Sequence, residues 1–171
     1  MKKQFIAAAA ALVLCVGGLA SCGGSDSSSK SDAPAASSAA EAQADVTKDA
    51  AAIADKLKSD VVWKDQLNEL ESAMVEKIIG VKPDLYTAGK VYIGAGGATA
   101  EEIACFEGKD EAAADSIMEA LNKRIEAQKK AFENYVPGEL DKLGSAVLVK
   151  QGKYVFMCIS DENDKAKEII G

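Results

Sequence analysis

The chain has 171 residues, with 20 basic against 27 acidic side chains, a net charge of −7 and no histidine. That acidity excludes the attraction on which general nucleic-acid binding rests, and it argues against broad contact with anionic lipid. Without imidazole the chain lacks the commonest metal ligand, the usual general base and every Ser-His-Asp arrangement.

The first residues run from positive to apolar to small. Lys2 and Lys3 precede the apolar stretch Phe5 to Ala20, and Ser21-Cys22 closes it. This is the pattern of a secretory signal peptide, expected over residues 1–21. The run is shorter than the roughly 20 residues a bilayer-spanning helix needs. The four residues at its close, Leu19-Ala20 and the following Ser21-Cys22, resemble the bacterial lipobox. That resemblance implies cleavage between Ser21 and Cys22, diacylglycerol on the Cys22 thiol and acylation of the new terminus. Two or more acyl chains hold a protein on a membrane where one would not. The membrane, reached through the lipid on Cys22, is therefore an expected partner, and the expected location is the extracytoplasmic face of the cell membrane.

Residues 23–44 contain no Leu, Ile, Val, Phe, Tyr or Trp. Such a segment cannot bury enough surface to offset its chain entropy, so residues 22–44 are expected to form the anchor and a disordered tether. About 22 flexible residues reach roughly 25–28 Å. Residues 45–171 then have the length of one domain with one real core.

In chain order, Thr47 to Lys58 reads as a helix with Ala50, Ile53, Ala54 and Leu57 on one face. A second helix is expected from Gln66 to Ile79, through Leu67, Leu70, Met74 and Ile78, stopped by Gly80 and Pro83. "KVYIGA", "GGAT" and "EEIACFEG" read as strand, turn and strand. Asp110 is a good N-cap for the longest helix, whose buried stripe would be Ala114, Ile117, Leu121, Ile125, Gln128 and Phe132. Pro137-Gly138 ends it. "SAVLVKQ" and "YVFMCIS" form a second hairpin around Gly152-Lys153, and Asn163 is placed to cap a final helix through Ile170.

The expected fold is α+β: an antiparallel sheet from two ββα units, helices mainly on one face, and two helices in front. Adding 53 to Cys105, Asp110, Ala113 and Ile117 gives Cys158, Asn163, Ala166 and Ile170, so the two units read as candidate copies of one another.

The segments "GGATAEEIACFEGKDEAAADSI", "RIEAQKKAFENYVPGELDKL" and "YVFMCISDENDKAKEII" resemble the Firmicute lipoproteins grouped as domain of unknown function 4358. The resemblance covers roughly residues 50–171 and agrees with the lipobox. It implies a cell-surface lipoprotein of a Gram-positive anaerobe and brings no catalytic residues with it.

Several stretches invite a chemical reading. Gly94 to Gly97 follow a strand as a phosphate loop would, but a second strand, rather than a helix, comes next, which favours a hairpin turn. Asp161, Glu162 and Asp164 are oxygen donors at a helix start. They lack the glycine and the distant glutamate of a calcium loop, so helix capping is the simpler reading and no metal is expected. Cys105 and Cys158 lie in apolar strands, as small buried residues do. On adjacent strands they are a candidate disulfide. Trp63, Tyr86, Tyr92, Tyr135 and Tyr154 are divided between core and binding surface. The expected activity is that of a non-enzymatic binding domain with no cofactor, meeting a protein, cell-wall or small-molecule partner. The alternatives are a histidine-independent hydrolase, using Ser-Lys or paired carboxylates, and a small solute-binding lipoprotein.

Overall fold

The computed structural model describes residues 47–171; the expected signal peptide, Ser21, Cys22 and the tether lie outside them. The order is α1 (Ala50–Asp60), β1 (Leu67–Glu69), α2 (Ser72–Ile79), β2 (Tyr86–Gly94), β3 (Glu102–Gly108) and α3 (Glu111–Glu133). A 3-10 turn (Pro137–Glu139), α4 (Leu140–Gly144), β4 (Val147–Gln151), β5 (Tyr154–Ile159) and α5 (Asn163–Ile170) follow. The five strands form one sheet in the order β1-β2-β3-β5-β4, and every pairing is antiparallel. The α+β class, both hairpins and the longest helix are as the sequence leads one to expect.

Local chemistry accounts for the helix ends. Asp49 caps α1, its Oδ1 accepting from the N–H groups of Ala51 and Ala52 at 3.0 Å. The expected start at Thr47 is therefore moved inward to the first side chain able to satisfy two free amides. Asp110 caps α3 through Ala113 N–H at 2.7 Å. Gly80 ends α2 in the left-handed conformation, φ +86°, its N–H reaching the carbonyls of Val75 and Glu76.

Three expectations need correction. Leu67–Glu69 is a strand rather than the first turn of a helix: Leu67 pairs with Gly94, and Leu70 N–H donates to Val91 O. Leucines three apart suit a helix, whereas in an extended segment they fall on opposite faces, as here, where Leu67 packs in one core and Leu70 against the other. The exposed edge of β2 decides, because its carbonyls need donors. Asn163 is the first residue of α5 and does not cap it; its Oδ1 accepts from Ser160 N and Oγ, and its amide donates to Ser145 Oγ.

The third concerns the helical layer. The core lies on both sides of the sheet. Val75, Ile79, Ile117, Leu121 and Leu143 cover one face with Ala104, Phe106, Val155 and Met157. Ala50, Ala54, Leu57, Ala166 and Ile170 cover the other with Ile103, Cys105, Phe156 and Cys158. So α2, α3 and α4 pack on one face, and α1 and α5 fill the second. β3 and β5 require this, because nearly every residue along them is apolar and buried, with no polar face to leave in water.

The same arrangement tests the candidate duplication. A two-fold axis normal to the sheet between β3 and β5 would relate β2–β3 to β4–β5 and keep Cys105 and Cys158 on one face, as they are. It would also keep α3 and α5 on one face. Ile117 and Ile170 instead lie in the cores of opposite faces, so the repeat stops at the strands.

Gly89 shows how closely the sheet is built. It pairs with Phe106, and a Cβ there would stand 2.5 Å from the Phe106 ring. Phe106 is fully buried and packs on Tyr86 with ring centroids 5.0 Å apart, so the ring has nowhere to go. Gly89→Val should lower stability by about 1–3 kcal/mol despite the β preference of valine. A urea melt of the variant matching the unmodified chain would show that the ring yields.

Candidate functional site

Glu101 and Glu102 stand side by side at the start of β3, and a strand turns successive side chains to opposite faces. Both are buried, 2% and 1% exposed, and neither could stay charged there without partners.

On one side the carboxylate of Glu101 accepts from the backbone N–H of Lys64, at 3.0 and 3.1 Å, and of Asp65, at 2.9 Å. Lys142 Nζ stands 3.3 Å from it, 2.9 Å from Glu139 and 3.5 Å from Asp161. Glu139 also accepts from Ala100 N–H at 2.9 Å, and Asp161 pairs with Lys64 at 2.8 Å. This network ties four connections together: α1 to β1, β2 to β3, α3 to β4 and β5 to α5. Burial alone would lower the pKa of the Lys142 ammonium, but Glu139 and Glu101 outweigh it and hold the value above its ordinary range. Lys64 holds the Asp161 carboxyl below its usual range.

On the other side Glu102 receives Arg124 Nε, at 3.2 and 3.3 Å, and Nη2, at 2.8 Å, in a fork, together with Gln128 Nε2 at 2.6 Å. Burial pushes the Glu102 carboxyl up, against the pull of Arg124 and Gln128. Arg124 is the outer member of this chain and lines a groove of about 340 Å³ between α2 and α3.

These arrangements bear directly on catalysis. A Ser-Lys nucleophile needs a lysine that can surrender its proton. Lys142 is held charged by three carboxylates, while Ser145 Oγ donates to the carbonyls of Asp141 and Lys142, and Ser160 Oγ bonds Asn163. Glu101 and Glu102 point to opposite faces and share no cleft. Neither hydrolytic arrangement weighed from the sequence is assembled by these groups.

The other sequence candidates fall into place. Gly94 ends β2 and residues 95–97 belong to the β2–β3 turn, where the Gly96 N–H that a phosphate would need is taken by Asp65 Oδ2 at 2.7 Å. A Cβ at Gly94 or Gly96 would come within 3.0 Å of that carboxylate, so these glycines serve Asp65. At the start of α5, Asp161 faces Lys64 and Lys142, Glu162 accepts from Val62 N–H, and Asp164 pairs with Lys167; the three carboxylates diverge. Tyr92 and Tyr154 are core residues and Tyr86 is half-buried. Trp63 is half-buried with its Nε1 on Lys58 O, and Tyr135 is exposed.

Cys105 and Cys158 are buried free thiols. They do lie on adjacent strands, but the register sets Cys105 opposite Phe156 and Cys158 opposite Ile103. Such a diagonal pair is separated by roughly 7–8 Å, beyond the span of an unstrained disulfide. Burial pushes the Cys158 thiol up to about 12 and Cys105 well above its ordinary value.

The sequence reading missed the clamps. Two signals were present: an adjacent pair of glutamates leading into a strand that is otherwise apolar as far as Glu107, and Gln128 on the buried stripe of α3, four residues after Arg124. Lys142 carried none, since the short helix that places it was not foreseen.

Two measurements follow. A carboxyl whose folded pKa is raised lends stability that is present below its ordinary value, 4.5 for Glu102, and lost as pH rises through the raised one. Glu102→Gln removes this loss. From pH 4.5 upward its stability, from urea melts, should climb more steeply with pH than that of the unmodified chain; parallel curves would mean Glu102 has no raised value. At about pH 8 a thiol reagent should leave Cys105 and Cys158 unmodified until the fold is opened by denaturant. Rapid labelling of either residue in the folded chain would contradict their burial.

Searches of curated proteins and of solved structures find no significant match to this chain. A family model described as Domain of unknown function matches residues 60–160, a span holding all five strands and Glu101, Glu102, Arg124, Gln128 and Lys142. With more than half its length matched, the chain belongs to the domain of unknown function family DUF4358.

Proposed function

We propose that this protein is a lipoprotein anchored through Cys22 to the outer face of the cell membrane, whose folded domain binds a partner without transforming it. The observation that carries the anchor is the tetrapeptide Leu19-Ala20-Ser21-Cys22, set directly after a positively charged, then apolar, leader. The binding role is favoured by how the domain uses its buried ionisable groups. Glu101, Glu139 and Lys142 are joined in one ion-pair network and Glu102 is forked by Arg124, so each is turned to a partner within the fold rather than to a cleft where a substrate could meet it.

Metabolic labelling with a palmitate analogue in a bacterial host tests the anchor. The unmodified chain should take up label and fractionate with membranes, with its mature terminus at Cys22. Cys22→Ala should take up none. Equal label in both would sink the lipoprotein reading.

A further inference from the structure

The groove between α2 and α3 has the makings of a ligand site. Its walls include the apolar side chains of Ile78 and Ala120, and its charged lining is Lys77, Lys123 and Arg124 against Glu119. Glu119 and Lys123 pair with each other at 2.6 Å and Arg124 is paired with Glu102, which leaves Lys77 as the lining cation with no carboxylate partner among the described residues, a local positive excess in a chain whose net charge is −7.

Arg124 is the group best prepared for an anion. Its Nε and Nη2 are held from beneath by Glu102, which Gln128 holds in turn, while Nη1 makes no hydrogen bond among the described residues. A guanidinium fixed along one edge offers its remaining N–H donors without first losing rotamer freedom. Lys77, in the last turn of α2, has no carboxylate partner among the described residues, and Gly80 N–H already satisfies the carbonyls of Val75 and Glu76. The groove holds about 340 Å³, at the small end of ligand pockets and far too little for a folded partner's surface.

We propose that this groove binds a small organic monoanion with a short apolar body. The head would be held by Arg124 and Lys77, and the body would lie along Ile78 and Ala120. The assignment rests on reading the domain as a binding module and names the ligand class that module takes.

The test is a titration of the full chain in detergent micelles, followed by amide NMR shifts, with butyrate as probe and butanol as its uncharged counterpart. Butyrate should give saturable shifts confined to residues 77–80 and 116–127; butanol should give none. Arg124→Gln should weaken butyrate binding about tenfold and Lys77→Gln about threefold, while Lys109→Gln leaves it unchanged. Lys77 is exposed, so its variant decides the matter if Arg124→Gln fails to fold. The proposal is overturned if butyrate does not saturate, if butanol gives the same shifts, or if a folded groove variant binds like the unmodified chain. A failed titration leaves the Cys22 anchor standing, and a failed labelling experiment leaves the groove standing.

Discussion

Two adjacent carboxylates must be buried on opposite faces of one strand, and each has to be neutralised where it lies. That requirement organises one end of the molecule. The alternation of β3 sends Glu101 and Glu102 apart. Glu101 draws in the backbone of residues 64 and 65 and, through Lys142, the segment after α3; Glu102 fixes how α3 lies against the sheet by holding Arg124 and Gln128. Removing the cation from either group would leave a buried carboxylate with neutral donors alone, at a cost of about 3–5 kcal/mol. Paired burial of this kind contributes little net stability, so its effect is to specify which connections meet.

The two clamps differ in reach. The Glu101 network closes on itself, since every charge in it faces another member. The Glu102 chain is open at its outer end, where Arg124 meets the groove, which is why the geometry points to a ligand on that side alone.

How much of this was legible follows from the range of each interaction. The caps at Asp110 and Gly80, the stripe of α3 and the hairpin at Gly152-Lys153 are set by residues within a few positions of each other, and they were readable. The strand at Leu67–Glu69 was not, because its stabilising partners, Tyr92 to Gly94, lie about 25 residues away. The second helical face could have been inferred from "YVFMCI", which leaves no polar side for water. The clamps needed positions as distant as Lys64, Glu101 and Lys142 to be brought together, which only the assembled sheet does. The candidate copies misled at one step: strand spacing repeats, but the turn after β5 sends its helix to the opposite face.

The position of β3 also has a kinetic side. Its hairpin with β2 is complete once the chain has been made as far as Gly108, yet its other edge pairs with β5, roughly 50 residues later. Until then a strand apolar on both faces presents open hydrogen-bonding groups, a template that a neighbouring chain can use as readily as β5. The intervening α3 can form locally and lay Ala114, Ile117 and Leu121 over one face before β5 exists. The order of elements along the chain therefore gives the nascent sheet a temporary cover and shortens the time in which β3 is open to the wrong partner.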